Sequence, residues 1–571
     1  MTSRRSGVPR RNTSHSSLHL VMARIPSGYL PPGELWSQRV YTLPEHASYP
    51  QRLNSTEELV DRHVAEGWGE HAAILFDDQR ISYKALQASV NKLGNALRSL
   101  GVEEEDRVLL RAPSIPPALV ANFAVLKIGG VIVPTSPLFS RAEIVHVAAV
   151  TEAVAMIVAA PLLEEVERAR GELAGVKHII VIGGEPAEVK AKGYIPYGEL
   201  LAQGATGLEP VRRDRMAVSA LLFTSGTTGL PKGTVHFMEE ALTVPDGFGK
   251  YGWGVTPDDV IGGPAPLSLA AGYSTQAVIP FRFGAAASLL PRFTPEGMFE
   301  QIQRHRITIV SILPTAYRKM LQVDDARHRY DLSSVRLCTG GGESLGAETY
   351  QAWKDAWGLE IYEGLGTTEM MFVFVSSAVT RRVKPGAIGP AVPGYELRVV
   401  NDEGRDCKPG EVGLLIARGP TGTVYWRDPD KQRQAVWQGW CRAGDFVTMD
   451  EEGYVWFLSR EDDLIKSSGY RIGPEEVEDA VCRHADVADC CVIGVPDPVR
   501  GQTTRAYVVL KPGVPGTEAW KRGLLDSLRD SLAVYKLPRE IEFVESLPRA
   551  PGPSGPGTGK LLRRILREKL R

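Results

Sequence analysis

The sequence has few cysteines, and none of them stands in a metal-binding pattern. Its six cysteines include no C-x-x-C pair and have no histidine-rich neighbourhood, which argues against a disulfide framework and against a structural zinc site. This cysteine usage predicts a protein of the reducing cytoplasm. The chain also lacks any apolar run near the roughly 18–20 residues that a membrane helix requires, so we expect no stable membrane insertion.

A large excess of charge of either sign is absent as well. Lysine and arginine number 66 against 68 aspartates and glutamates, and the formal net charge is −2. Without a large positive field, nucleic acid and anionic membranes are not expected as the main partners. The hydrophobic share of 43% and charged share of 23% are ordinary for a globular enzyme. A chain of 571 residues should divide into two or more domains.

The N-terminal segment 1–21 is rich in arginine and serine and contains no acidic residue and no long apolar stretch. It therefore does not have the pattern of a secretory signal. A mitochondrial-type transit peptide stays open, although the helical amphipathicity of the segment is poor. We expect residues 1–30 to be a disordered extension, with Met22 as an alternative start of translation.

Strand-like and helix-like segments alternate through the first two thirds of the chain, which predicts an α/β fold with largely parallel, helix-covered sheets. From 387 to 458 short strands with glycine and aspartate turns predict a β-rich subdomain, and a new α+β pattern follows residue 459. The predicted strands are 72–76, 107–110, 131–134, 155–158, 179–182 and 307–312, and the predicted helices are 83–100 and 116–128.

The segment 220–233 joins an apolar strand to a loop dense in glycine and hydroxyl groups that ends near Lys232. Glycines let backbone N–H groups converge on an anion, and hydroxyls and the lysine add further donors, so the loop is suited to a polyphosphate. A Walker-type loop is excluded by spacing, because Pro231 stands where its second glycine belongs and Gly233 follows the lysine. The alternative is a plain surface turn rich in small residues.

A second motif, 361–369, is an apolar approach to a glycine turn followed by Thr367, Thr368 and Glu369. A carboxylate beside a phosphate is repelled unless a cation lies between them. The sequence therefore predicts Mg²⁺ at Glu369. The alternative is structural, with Thr-Thr-Glu capping the start of a helix.

Three further segments carry charge at suggestive places. The segment 440–445 is predicted to end a strand at Asp445, which could accept from ribose hydroxyls or simply belong to a turn. The segment 459–472 is a dense charge cluster before a glycine-containing turn, and it could equally be a solvated linker. The segment 556–564 places Lys560 in a loop rich in glycine, where the alternative is an ordinary basic tail.

In their order and approximate spacing, these five segments resemble the adenylate-forming superfamily, which contains acyl-CoA synthetases, luciferases and peptide-synthetase adenylation domains. The resemblance covers roughly residues 55–571. The string 364–374, with 384–387, 419–422 and 497–502, is most similar to the benzoate-, 2-aminobenzoate- and cyclohexanecarboxylate-CoA ligase group.

The resemblance implies a fold, a domain plan and a reaction. An ATP- and acyl-binding domain over 31–458, with two helix-covered sheets and the β-rich subdomain, would be joined through a hinge at 459–463 to a small mobile α+β lid domain over 464–571. The acid would attack ATP to give an acyl-adenylate and pyrophosphate, and CoA would then displace AMP. The implied cofactors and co-substrates are ATP, Mg²⁺ and coenzyme A, and monomer and homodimer both stay open.

The resemblance also implies site residues. Lys560, Thr368 and Glu369 would be catalytic, with Lys560 between carboxylate and α-phosphate, and Asp462 would be the hinge. The β- and γ-phosphates would be held by Thr224, Ser225, Gly226, Thr227, Thr228 and Lys232. Asp445 and Arg460 would bind the ribose, Gly341, Gly342 and Glu343 would border the adenine, and Lys466 and Gly469 would face CoA.

The acyl pocket would be lined by small residues and one leucine, namely Ala270, Ala271, Gly272, Gly340 and Leu365. The resemblance favours an aromatic or alicyclic acid such as benzoate or 2-aminobenzoate. A medium-chain fatty acyl-CoA synthetase and a stand-alone adenylation enzyme that loads a carrier protein are the alternatives. A plain NTPase or nucleotide-binding regulator is a further alternative, which release of pyrophosphate rather than orthophosphate would exclude. A non-catalytic family member is less favoured, because all the charged site residues are present. Met238 and Leu365 depart from the histidine and the aromatic residue that many members have at those positions.

Overall fold

The computed structural model describes residues 25–26, 28–224, 230–468, 470–529, 531–549 and 561–569. A two-stranded antiparallel pair, β1 (Arg52–Leu53) and β9 (Arg213–Asp214), forms a sheet separate from the two large ones. The first large sheet has seven strands among the described residues and is parallel except for one antiparallel pair at its edge, β10 with β11. In spatial order it comprises β11 (Lys232–Phe237), β10 (Val218–Thr224), β5 (Val131–Pro134), β4 (Arg107–Arg111), β6 (Ala155–Ala159), β7 (His178–Ile182) and β8 (Ile195–Pro196).

A second large sheet has a parallel centre and an antiparallel hairpin at each edge. Within the described ranges its order is β17 (Val373–Ser376), β16 (Ile361–Gly366), β15 (Leu337–Gly341), β14 (Ile309–Ser311), β12 (Val260–Gly263), β13 (Ala286–Leu289), β2 (Ala72–Phe76) and β3 (Gln79–Ser82). Inner strands such as β6 and β13 are buried along their length, as near-continuous apolar runs in parallel sheets should be.

Two smaller sheets follow in the chain. The β-rich subdomain contains β18 (Glu396–Val400), β19 (Gly413–Arg418), β20 (Val436–Trp437), β21 (Trp440–Met449) and β22 (Val455–Arg460), all antiparallel. The C-terminal sheet contains β23 (Ile465–Ser467), β24 (Tyr470–Ile472), β25 (Val487–Asp497), β26 (Gly501–Leu510) and β27 (Glu540–Phe543).

Helices cover the large sheets and pack on the C-terminal one. In chain order they are α1 (Arg62–Ala65), α2 (Tyr83–Ser99), α3 (Pro116–Lys127), α4 (Arg141–Thr151), α5 (Leu163–Ala169), α6 (Pro186–Ala191), α7 (Tyr197–Gln203), α8 (Glu240–Val244), α9 (Ala270–Tyr273), α10 (Ile279–Arg282), α11 (Pro295–His305), α12 (Pro314–Met320), α13 (Ala326–Arg329), α14 (Ala347–Trp357), α15 (Pro429–Ala435), α16 (Pro474–Cys482), α17 (Glu518–Leu528) and α18 (Arg563–Glu568). Among the described residues, no helix is both long enough and apolar enough to cross a membrane.

The core sits around α3, which is buried along all of its residues except Pro117. Pro116 begins the helix, where a missing N–H costs nothing, and apolar side chains on every face explain its burial. Lys127 ends it inside the protein, where its ammonium donates to Asp61 at 2.8 Å and Asn91 at 2.6 Å. A buried charge of this kind is tolerated because it is paired and hydrogen-bonded.

The α/β fold class with a β-rich subdomain and an α+β C-terminal part is confirmed. The predicted helices 83–100 and 116–128 correspond to α2 and α3, and the predicted strand 131–134 corresponds to β5. The predicted strand 307–312 is shorter, with β14 confined to Ile309–Ser311. The prediction that a strand ends at Asp445 is wrong, because β21 continues to Met449 and pairs there with β22.

Candidate active site

The first motif joins two neighbouring strands of the seven-stranded sheet. β10 ends at Thr224 and β11 begins at Lys232, and these two residues are paired across the hairpin. The Lys232 ammonium lies 3.3 Å from Asp428, with its side chain one third exposed, so the charge can reach a ligand. On α4, His146 makes a 2.9 Å hydrogen bond to the carbonyl of Pro231 and fixes the end of the loop. The predicted phosphate-binding residues Ser225, Gly226, Thr227 and Thr228 lie outside the described residues.

The second motif is the tight hairpin between β16 and β17, at an edge of the eight-stranded sheet. The Thr368 carbonyl accepts from the amide of Met371 at 3.0 Å, and Met371 has a positive φ of 67°. The chain therefore turns back into β17 rather than entering a helix, and the alternative of a helix cap is wrong. The turn presents Glu369 beside the β-rich subdomain.

Glu369 receives a hydrogen bond from the β-rich subdomain. The hydroxyl of the buried Tyr425 donates to its Oε1 at 2.6 Å. Tyr425 pairs with Thr234, two residues after Lys232, in an isolated antiparallel bridge. The predicted phosphate-binding lysine and the predicted metal-binding glutamate are thus connected through one short segment.

Asp445 and Arg460 are cross-strand partners on β21 and β22. The guanidinium donates to Asp445 Oδ1 at 2.7 Å, and Asp445 is fully buried while Arg460 is partly exposed. Burial lowers the pKa of Arg460, but the charges of Asp445, Glu369 and Asp462 outweigh it and raise that pKa overall. The structure therefore brings four of the predicted site residues into one electrostatic neighbourhood.

The residues predicted to border the adenine lie at the end of β15. A Cβ on Gly341 would come 2.5 Å from the carbonyl of Gly364 on β16, so only glycine fits that pairing. Gly342 has a positive φ of 86° and turns the chain away from the sheet. Glu343 then accepts from the amide of Thr315 at 2.5 Å and lies 3.5 Å from Arg318.

Three of the predicted pocket residues, Ala270, Ala271 and Gly272, lie on α9, beside the second motif. Ser274, directly after α9, donates its hydroxyl to the carbonyl of Met371 at 3.2 Å. A Cβ on Gly272 would lie 2.1 Å from the carbonyl of Pro266, which makes glycine obligatory there. Ala270 is buried and Ala271 is exposed.

Gly340 and Leu365 lie deeper in the second sheet. A Cβ on Gly340 would lie in ordinary contact with Ile361, at 3.5 Å. The side chain of Leu365 packs against the apolar cluster of the β-rich subdomain, which includes Phe374 and Val375. Met238, where a histidine is common, is fully buried and accepts a 3.2 Å contact from the Ser55 hydroxyl.

The segment after β22 leads into the C-terminal sheet. Asp462 is exposed, and its neighbour Asp463 pairs with Arg563 at 3.2 Å and Arg567 at 2.7 Å on α18. Lys466 lies on β23 with its side chain exposed and its amide donating to Gln502 at 2.9 Å. Gly469 and Lys560 lie outside the described residues.

Comparison with known proteins identifies the chain through both of its parts. The profile of the AMP-binding enzyme family matches residues 61–426, and that of the AMP-binding enzyme C-terminal domain matches 476–551. The chain belongs to the AMP-binding enzyme family. It is an AMP-forming, adenylate-forming acyl-CoA ligase that uses ATP and CoA.

Relatives of this AMP-binding enzyme span nearly its whole length. It is 32% identical to the benzoate–CoA ligase of Thauera aromatica over 92% of this chain and 97% of the relative. It is 30% identical to the acetyl-coenzyme A synthetase of Bacillus subtilis over 90% of each chain. The crystal structure of the anthranilate CoA ligase AuaEII with anthranoyl-AMP aligns with a TM-score of 0.84 and 32% identity, over 92% of this chain and 98% of that one.

Three residues of this AMP-binding enzyme were not predicted from sequence. Tyr425 donates to Glu369 and Asp428 pairs with Lys232, but neither residue belongs to any of the five motifs. Glu363 on β16 accepts from the amide of Leu345 at 3.1 Å, next to the predicted adenine region. Burial raises the pKa of the Glu363 carboxyl to about 7. A glutamate directly before Gly364 in the second motif was the available signal for Glu363.

Proposed function

We propose that this ligase activates an aromatic or alicyclic carboxylic acid, such as benzoate or 2-aminobenzoate. The reaction is acid, ATP and CoA to acyl-CoA, AMP and pyrophosphate, through an acyl-adenylate. The observation that carries the proposal is full-length similarity at 32% identity both to a benzoate–CoA ligase and to an anthranilate CoA ligase solved with anthranoyl-AMP. The similarity to an acetyl-coenzyme A synthetase at 30% makes the acid the point to test.

The pocket geometry supports a ring-shaped acid. Ser274, directly after α9, donates to the carbonyl of Met371, which is two residues after Glu369 in the chain. An acid beside α9 would therefore lie near the reacting phosphate. Phe372 is buried in edge contacts with Phe248 and Trp253, with ring centroids 5.4 and 5.9 Å away. Apolar, largely small-residue linings with aromatic neighbours are typical of sites for compact ring-shaped ligands, and the residues on and near α9 have that composition.

The metal proposed at Glu369 is Mg²⁺. Mg²⁺ in nucleotide sites is usually held by one or two carboxylates together with substrate phosphates, and a partly exposed glutamate in the turn between β16 and β17 fits that donor set. When bound, the ion would supply positive charge between the glutamate and the phosphate oxygens. The chain's own part is to fix the carboxylate, which the Tyr425 hydroxyl does at 2.6 Å.

The other residues divide between holding ATP and stabilising charge. Lys232, with the hydroxyls of residues 224–228, would hold the β- and γ-phosphates as the leaving group, and Thr368 would contact the α-phosphate. Asp445 and Arg460 would bind the ribose hydroxyls. Lys560 would stabilise the negative charge that builds on the α-phosphoryl oxygens, a contribution that can reach several kcal/mol.

The lid would change its contact with the site between the two half-reactions. Rotation about Asp462 would withdraw Lys560 and present the turn of Lys466 and Gly469 to CoA. One domain would then serve adenylation first and thioester formation second.

The substrate is tested by pyrophosphate release with benzoate, 2-aminobenzoate, cyclohexanecarboxylate, acetate and octanoate. A ring acid should have the highest kcat/KM, by roughly tenfold or more, since one misfitting methylene in an apolar pocket already costs that much. Higher kcat/KM for octanoate or acetate would refute the proposal. AMP release that requires a carrier protein and ignores CoA would favour the carrier-loading alternative.

The pocket is tested with a matched pair of variants. Ala271→Phe on the exposed face of α9 should lower kcat/KM for ring acids by roughly tenfold or more and leave the KM for ATP unchanged. Ala191→Phe changes an equally exposed alanine at the end of α6 and should have no effect on either parameter. If the two variants have equal kinetics, α9 does not line the acyl pocket.

A further inference from the structure

The segment 423–428 lies along the beginning of β11, directly after the phosphate-binding loop. Two backbone hydrogen bonds attach it there. Val235 donates to the carbonyl of Val424 at 2.8 Å, and Trp426 donates to the carbonyl of Gly233 at 2.9 Å. Tyr425 stands between these bonds, so its backbone has a fixed register with the strand that begins at Lys232.

A buried glutamine holds the same segment from the other side. Gln432 on α15 is fully buried, and its Oε1 accepts from the amide of Tyr425 at 2.9 Å. Its Nε2 donates to the carbonyls of Thr423 and Leu35, both at 2.9 Å. Since backbone and neighbours are fixed, the Tyr425 ring has little freedom and its hydroxyl is held at one place.

There the hydroxyl donates a hydrogen bond to the Glu369 carboxylate at 2.6 Å. A tyrosine hydroxyl is uncharged at neutral pH and can donate a hydrogen bond, so Tyr425 holds the carboxylate as a neutral donor. One hydrogen bond uses a fraction of a carboxylate's roughly four acceptor positions, which leaves capacity for a cation.

The donor is neutral, and this matters at a metal site. The guanidinium of Arg460 is paired with Asp445 at 2.7 Å, whereas Glu369 receives the neutral hydroxyl of Tyr425. A salt bridge to Arg460 would compete with a metal ion for the carboxylate. A neutral hydroxyl orients the carboxylate without adding a positive charge that would repel the metal.

We propose that Tyr425 is a positioning residue that fixes Glu369 in the orientation required to bind the metal of the metal–ATP complex. The inference rests on the proposed role of Glu369 as the metal-binding carboxylate. It assigns a function to a residue outside the phosphate-binding loop, the Glu369 turn and the lid.

The test compares nucleotide binding with and without the metal. Binding of α,β-methylene-ATP is measured by calorimetry for the full chain, first with saturating Mg²⁺ and then with EDTA. Tyr425→Phe keeps the ring and removes only the hydroxyl, so it should weaken Mg²⁺-dependent binding roughly tenfold, about 1.4 kcal/mol, and leave binding in EDTA unchanged. A purely structural defect would weaken both to the same extent.

Two further variants make the result decisive. Tyr395→Phe removes a hydroxyl that bonds to Thr421 at 2.8 Å in the same region, and it should match the wild type in both conditions. Glu369→Gln should lose most of the Mg²⁺ dependence. If Glu369→Gln loses it and Tyr425→Phe does not, Tyr425 has no positioning role, although the metal role of Glu369 stands. If Glu369→Gln retains full Mg²⁺ dependence, both proposals fail.

Discussion

Arg563 is buried in the C-terminal domain with three carboxylates around it, and its removal should have a large, local effect. Its side chain is 4% exposed and lies 2.7 Å from Glu478, 3.2 Å from Asp463 and 3.6 Å from Glu475. Glu478 is itself buried and also accepts from the amide of Val492 at 2.6 Å. The cluster ties α18, which follows Lys560, to α16 and to the segment after β22.

Arg563→Met keeps most of the aliphatic volume and removes the charge. Glu478 would be left as a buried carboxylate without its cation, and losing one partner of such a pair costs about 3–5 kcal/mol. Burial already raises the pKa of Glu478, with Arg563 acting against that shift. In the variant this pKa should rise further, so protonation near pH 5 should recover part of the stability that is lost at pH 8.

Hydrogen exchange measured by mass spectrometry resolves the effect by segment. Protection in 474–482 and 563–569 should fall by roughly two orders of magnitude or more at pH 8, while β4 to β6 remain unchanged. Arg564→Met is the control, because Arg564 is 54% exposed and pairs only loosely with Glu568 at 3.7 Å. Such a surface pair contributes about 0–1 kcal/mol. Equal loss of protection in both variants, or none in Arg563→Met, would refute the reasoning.

Two other predictions concern the site. Lys560→Ala should slow acyl-adenylate formation by roughly 10²-fold or more, while thioester formation from a supplied acyl-adenylate and CoA continues, and an unchanged adenylation rate would refute the role of the lysine. Burial raises the pKa of Glu363 from its ordinary 4.5 to about 7 in the folded chain. Between these values the folded state binds more protons than the unfolded state, so the free energy of unfolding falls as pH rises through that window. Glu363→Gln should flatten this slope in urea unfolding curves between pH 5 and 7, and a slope equal to that of the wild type would contradict the assignment.

The main elements of the fold could be predicted because their signals are local. The apolar residues of α3 and the strand–loop pattern of β10 reflect propensity and periodicity within a few residues. Errors arose where a partner strand decided the outcome. β21 extends beyond Asp445 because β22 pairs with it, and nothing in the segment 440–445 encodes that pairing.

The candidate site shows the same division. Residues such as Lys232 and Glu369 belong to contiguous motifs whose chemistry can be recognised from their neighbours. Tyr425 is 56 residues from its partner Glu369 in the sequence, and Gln432 is 397 residues from its partner Leu35. Their roles depend on contacts between distant segments, which no local pattern reports.

The chemistry could be predicted from contiguous motifs: a phosphate-binding loop, a carboxylate for a metal, a ribose-binding pair and a lysine near the C-terminus, in an order that implies adenylate formation. The tertiary structure decided how those groups are held. It ended the Glu369 motif in a hairpin rather than a helix, paired Asp445 with Arg460 across two strands, and attached Tyr425 to Glu369. The reason is physical, since residue types fix which interactions are possible, whereas only packing brings their partners within hydrogen-bonding distance.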